Sequence, residues 1–275
     1  MVTAILHISA TVSLWGTFIT TLPVLWRKSK APNPVGLVAA WFAVVCMGIG
    51  VFMRGLQLGS FPAVTLTDSL LLLSLFLVTT VAVAMTVARF YLLGLILIPC
   101  IIVLNIMSVW LGKLVKAPSA EAYLQSTFAV LHIPFFLLSY ALFILAAGIS
   151  VLYVALDYQM KHKRYMRLFD RFPPLMRMDH YTHRCITFGF VFLTVGIVTG
   201  WLFAQQVRTM FSYMDAKVLS SVVLWLYYVM YLHLRPRIGW IGKRTGYVAI
   251  TGCVLIVIAY VSGNFLGVSK FHGYQ

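Results

Sequence analysis

The chain has 275 residues, 61% of them hydrophobic and only 10% charged, with a mean hydropathy of +0.95 and a formal net charge of +15. Soluble domains carry about 25% charged residues, so a water-soluble fold is excluded and a polytopic membrane protein with almost no soluble mass is left. Cys46, Cys100, Cys185 and Cys253 are scattered through apolar stretches with no CxxC pair, which excludes a disulfide or zinc framework and reads them as small buried hydrophobes.

A helix that crosses a bilayer needs about 20 apolar residues. Eight runs qualify, near 3–25, 36–54, 66–87, 90–112, 128–156, 182–204, 217–235 and 246–267. The first lacks a basic leader and is followed by Trp26, Arg27 and Lys28, so it reads as a span and not as a cleaved signal. The third and fourth are joined by a tight turn around Arg89, and the fifth is long enough to project beyond the bilayer on the inner side. With the N-terminus outside, 15 of the 21 Lys and Arg residues fall on the inner side. The outer six are Arg54, Lys113, Lys116, Arg208, Lys217 and Lys270. The positive-inside rule then places both termini outside. The expected fold is an all-α transmembrane bundle of about eight spans, forming one integral membrane domain over 1–275. The basic loop 157–181 has no nucleic-acid-binding pattern, and topology already explains its charge, so no nucleic-acid partner is expected.

The outer loops carry more information. Gly55 to Val64 leads into Thr65-Leu-Thr-Asp68, a Thr-x-x-Asp signal for a helix starting at the outer face. Gln205 to Ala216 places Phe211 and Tyr213 beside Met210, Met214, Arg208, Asp215 and Lys217. Two readings of this loop stand side by side. One is an interfacial aromatic belt with snorkelling cations. The other is a flat apolar platform flanked by cations, suited to a planar ligand with two carboxylates.

The histidines sort by depth. His132, in Val-Leu-His-Ile-Pro, opens the fifth span on the outer side, and His272 lies just outside the eighth. Their shared depth lets them meet, and two neutral imidazoles suit a low-spin haem iron. His233 lies about 24 Å down the seventh span, near the inner face and near the depth of His180 and His183. An imidazole among Leu232 and Leu234 needs a partner, either haem or a hydrogen bond within the bundle. His7 and His183 read equally well as satisfied structural residues, and His162 as a surface residue of the basic loop.

These residues resemble the cytochrome c assembly protein family, whose membrane haem handlers include the CcsA, CcmC and HemX-like branches. Gly200-Trp-Leu-Phe-Ala204 is similar to the family's G-x-x-W-A span end. Trp225-Leu-Tyr-Tyr-Val-Met-Tyr-Leu-His233-Leu-Arg235 is similar to its W-L-x-Y-x-x-Y-L-H-x-R span. Asp215 and Lys217, Gly239-Trp240-Ile-Gly-Lys-Arg, and Asn264-Phe-Leu with His272-Gly-Tyr also match in kind. Leu131-His132 with Tyr140-Ala-Leu-Phe resembles the span that begins with an outer histidine, and Gly59-Ser-Phe-Pro with Thr67-Asp68-Ser-Leu the outer loop before the third span. The resemblance covers most of the chain and is strongest over 128–275.

The resemblance implies haem handling at the outer face of a bacterial cytoplasmic membrane, with haem b as the group held. His132 and His272 would be outer axial ligands, and His233 would ligate or approach haem within the membrane. The loop around Asp215 would hold the ring, with Arg208 or Lys217 near a propionate. The loop departs from the family's tryptophan-rich pattern. Arg208, Ser212 and Met214 stand at the aligned places, and Ala216 replaces the proline after the Asp. Met and Ser lack the broad stacking face of Trp, so synthetase activity does not carry over with the resemblance, and no catalytic residue is assigned. Three functions are compatible with these residues. The first is haem handling for cytochrome c assembly, with lipid, other assembly subunits or an apocytochrome as partners. The second is a HemX-like regulator that docks a haem-synthesis enzyme on the inner basic face between Lys161 and Arg177. The third is a b-type haem subunit or scaffold in an electron-transfer complex.

Overall fold

The computed structural model describes residues 2–25, 34–59, 61–62, 65–114, 127–162, 173–206 and 215–265. They form eight α-helices: α1 (Val2–Thr21), α2 (Pro34–Leu58), α3 (Leu66–Val87), α4 (Leu92–Leu114), α5 (Thr127–Lys161), α6 (Leu175–Gln206), α7 (Ala216–Ile238) and α8 (Lys243–Phe265). A short 3-10 turn, Leu22–Leu25, follows α1. Helices are the expected solution, because a backbone in hydrocarbon must satisfy its own N–H and C=O groups. Among the described residues seven helices, α2 to α8, are long and apolar enough to cross a membrane. The chain is a multi-pass membrane protein.

The helices pack as two four-helix rings. In the first, α1 touches α2 and α4, α2 touches α3, and α3 touches α4. In the second, α5 packs on α6, α6 on α7, α7 on α8, and α8 returns to α5. The rings join where α5 lies against α3 and α4. Neighbours in the second ring run antiparallel. His132, early in α5, meets Gly196 near the end of α6, and Asp157, late in α5, meets Lys243 at the start of α8.

Local signals read from the sequence are realised at both ends. Thr65 caps α3 with a reciprocal box: the Asp68 N–H donates to its hydroxyl at 3.1 Å, and the Thr65 N–H donates to the Asp68 carboxylate at 3.1 Å. Asp68, only 1% exposed, also takes the Arg54 guanidinium at 3.3 Å, tying α2 to α3. At the other end the Phe90 N–H donates to the Ala84 carbonyl at 3.3 Å around Arg89, whose φ is 58°. This bond closes the end of α3 across the left-handed residue, and Phe90 itself is buried. The tight turn expected at Arg89 is therefore present. The helix α5 extends to Lys161, beyond its apolar run, as expected. The helix α6 begins at Leu175 and not near 182, because its first two turns are polar and amphipathic, which a search for apolar runs does not see.

A stack of four residues holds the second ring at mid-depth. Phe143 of α5 and Tyr228 of α7 lie face to face, with centroids 4.0 Å apart and planes 12° apart. Both are fully buried. Gly189 of α6 backs Phe143, where an added Cβ would come within 2.7 Å of the ring. Gly252 of α8 backs Tyr228, where an added Cβ would overlap the hydroxyl. Glycines here let two aromatics fill a gap between four helices. Van der Waals packing of this kind drives helix association in lipid, since apolar side chains gain little from leaving a medium as apolar as themselves. Gly252→Ala is expected to cost about 1–3 kcal/mol by overpacking, read as a lower unfolding midpoint in detergent. Gly48→Ala, with nothing within 4 Å of the new Cβ, is expected to leave the midpoint unchanged.

Candidate functional site

One end of the second ring is where α5 starts, α6 ends and α7 starts. His132 lies in the second turn of α5 and is half-buried. Its Nδ1 is 2.7 Å from the Gly196 carbonyl oxygen of α6. Its ring rests on Phe136 at 5.4 Å between centroids and faces Gly200. Asp215 is 5% exposed and caps α7, its carboxylate accepting the Lys217 N–H at 2.9 Å. An Asp at a helix N-cap stabilises the helix start through this bond and through the helix dipole. Asp215 thus fixes where the preceding loop enters the bundle. Lys217, in the first turn of α7, is half-buried. Arg208, Phe211, Tyr213 and His272 lie outside the described residues.

His233 is placed differently from its nearest polar neighbours. The bundle-facing side of α7 carries Ser221, Leu224, Tyr228 and Tyr231. His233 is two residues, or about 200°, beyond Tyr231, and its side chain is exposed on the opposite face. His183 meets Tyr231, which lies two residues from His233 and so about 3 Å from it in depth. Tyr231 Oη lies 3.3 Å from His183 Nδ1, and His233 makes no side-chain hydrogen bond among the described residues. The hydrogen-bonded alternative for His233 within the bundle is therefore corrected: its helix face points it away.

Below Tyr231 is a cluster that the motifs do not announce. Asp179 opens α6, and Arg235 lies in the last turn of α7. Arg235 Nη2 donates to Asp179 Oδ2 at 2.6 Å and Nη1 to Oδ1 at 3.4 Å. Arg235 Nη1 also donates to Tyr231 Oη at 2.9 Å and Thr245 Oγ1 at 2.6 Å. The Gly242 N–H, in the turn before α8, donates to Asp179 Oδ1 at 2.8 Å. The pair is 6% and 15% exposed at its side chains, so it sits largely out of water. One carboxylate thereby ties α6 to α7 and to the start of α8. Beside it Lys243 reaches Asp157 of α5 at 2.6 Å. The available signal was the scarcity of acidic residues. The chain has six Asp and Glu, and each one near a span needs a partner. Arg235→Ala is expected to cost about 3–5 kcal/mol, because it strands the buried Asp179 charge. Asp179→Leu combined with Arg235→Met is expected to recover most of that loss in the same thermal unfolding assay.

Among the described residues no group of three or more His, Cys, Asp or Glu is gathered as for a metal ion. An axial pair on a haem iron is a different arrangement, needing two imidazoles on opposite faces of a porphyrin.

Residues 63–269 match the cytochrome c assembly protein family. The chain is 28% identical over 271 residues to the cytochrome c biogenesis protein CcsA of Guillardia theta, covering 92% of this chain and 89% of that one. It is 27% identical over 299 residues to CcsA of Trieres chinensis, covering 95% of each. Over a shorter stretch of 97 residues it is 39% identical to CcsA of Prochlorococcus marinus, covering 35% of this chain and 30% of that one. With three quarters of its length inside one family pattern, the chain belongs to the cytochrome c assembly protein family.

Proposed function

We propose that the protein handles haem for cytochrome c assembly, holding it at the outer end of the second ring. The observation that carries this reading is the setting of His132. A single imidazole is fixed at the outer mouth of the bundle by a neighbouring helix, at the place where the resembling family puts an axial ligand. His272 is the proposed second ligand, since it follows α8, which ends on the same side. The residues between α6 and α7 are the proposed platform, with Phe211 and Tyr213 against the ring and Arg208 or Lys217 at a propionate. Asp215 serves by capping α7 and so anchoring that loop. His233, on the outward face of α7, is the residue proposed to meet haem within the membrane.

Haem here is cargo, and haem b is the form proposed. The donor set present fits it: a neutral imidazole supplies a nitrogen ligand, while aromatic side chains and cations suit the ring and its carboxylates. What this chain does is bind and orient. Next to His132 along α5, half-buried Phe136 packs on buried Tyr140, ring centroids 4.9 Å apart, which gives the site an aromatic floor. The proposed membrane is the bacterial cytoplasmic membrane with both termini outside, and the proposed receiving partner is an apocytochrome or another assembly subunit on that side.

Purified wild type is expected to carry, or take up from added hemin, a six-coordinate low-spin haem. His132→Ala and His272→Ala are each expected to reduce haem affinity about tenfold or more. Unchanged spectra and affinity in both variants would remove the site. Orientation is checked separately in a protein whose four native cysteines are replaced. Gln275→Cys should react with an impermeant thiol reagent on intact cells, and Lys163→Cys should react only once the membrane is opened. The reverse pattern would turn the site to the inner face.

A further inference from the structure

The contact between α5 and α6 at His132 contains more than packing. The Gly196 carbonyl oxygen has no proton to give, so at 2.7 Å the Nδ1 of His132 must be the donor. The neutral ring is then the Nδ1–H tautomer, with its lone pair on Nε2. Two features hold it there. Phe136, one turn along α5, leans on the ring at 5.4 Å and 43°. On the other side Gly200 comes so close that an added Cβ would stand 2.6 Å from Nδ1, 2.7 Å from Cε1 and 3.4 Å from Cγ. A side chain at 200 would push the imidazole off the Gly196 carbonyl. Gly200 opens the Gly-Trp-Leu-Phe-Ala stretch, and Trp201 beside it is half exposed, facing away from the bundle. The part of that stretch acting on His132 is the glycine.

We infer that Gly196 and Gly200 of α6 are positioning residues: a backbone carbonyl and a missing side chain that set His132 as the Nδ1–H tautomer and so make Nε2 its iron-binding nitrogen. Ligand histidines generally donate their second ring N–H to a carbonyl or carboxylate, which fixes the ring and raises the basicity of the ligating nitrogen. Here a helix carbonyl supplies that acceptor from the neighbouring helix, without any acidic residue. This inference rests on the haem reading above for its iron, and on the helix contact alone for its tautomer.

The test has two readouts. In apo protein labelled with 15N-histidine, the signal lost in His132→Gln identifies His132 in solid-state NMR spectra. Wild type is expected to show Nδ1 protonated and Nε2 bare. An Nε2–H tautomer would overturn the inference with no haem involved. In hemin titrations Gly200→Ala is expected to lower affinity about tenfold or more, and added imidazole is expected to restore the low-spin spectrum. Gly189→Ala is the matched control. It lies on the same helix, and its new Cβ would press on Phe143 at 2.7 Å, far from His132. Wild-type affinity in Gly200→Ala, or equal losses in Gly200→Ala and Gly189→Ala, would overturn the inference. A wild type that shows the Nδ1–H signal yet binds no hemin upholds the clasp and removes the haem reading, so the two failures are read apart.

Discussion

A polar group inside a membrane protein must find its partner within the protein, because lipid offers none. That constraint is met by named partners at both ends of the bundle. At one end Asp179 is answered by Arg235, the Gly242 N–H and, through Arg235, by Tyr231 and Thr245. At the other end Asp68 is answered by Thr65 and Arg54, and Asp215 by the first turn of α7. His132 is answered by the Gly196 carbonyl. Each answer crosses between elements or fixes a helix start, so satisfying a charge and assembling the bundle are the same event.

The two ends differ in kind. The Asp179–Arg235 clasp is closed: its carboxylate and guanidinium are directed at each other, and what it offers is rigidity. Breaking one partner would be costly, while replacing both is tolerable, which is the behaviour of a structural ion pair. The opposite end carries a histidine, His132, one of whose nitrogens is committed to the helix backbone. Between them the Phe143–Tyr228 stack, with a glycine on either side, sets the spacing of the four helices. A site that must place an imidazole to within a fraction of an ångström gains from such support on rigid elements.

Much of this was legible in the sequence, and the rest was not for identifiable reasons. The eight apolar runs expected as spans correspond to eight helices, seven of them among the described residues long and apolar enough to cross a membrane, and Thr65-x-x-Asp68 forms its cap, because both signals are local. The turn at Arg89 was legible for the same reason. The start of α6 was missed by about two turns, since an amphipathic extension does not register as an apolar run. Asp179 and Arg235 are 56 residues apart, and nothing local couples them. His233 and Tyr231 both lie in the family-like stretch, but which of them faces the bundle depends on where α6 sits, and that is a tertiary fact. The partner of His132 is a backbone carbonyl, which has no residue signature at all; only a glycine four residues further on, Gly200, marks the close approach.

The axial pair is the claim on which the haem reading turns, and near-infrared magnetic circular dichroism of the ferric haem complex addresses it directly. This band reports the identity of both axial ligands. The account expects a bis-histidine band in wild type and a shift to the histidine–methionine position in His272→Met. A wild-type band of another ligand set, or a band that His272→Met leaves in place, would contradict it.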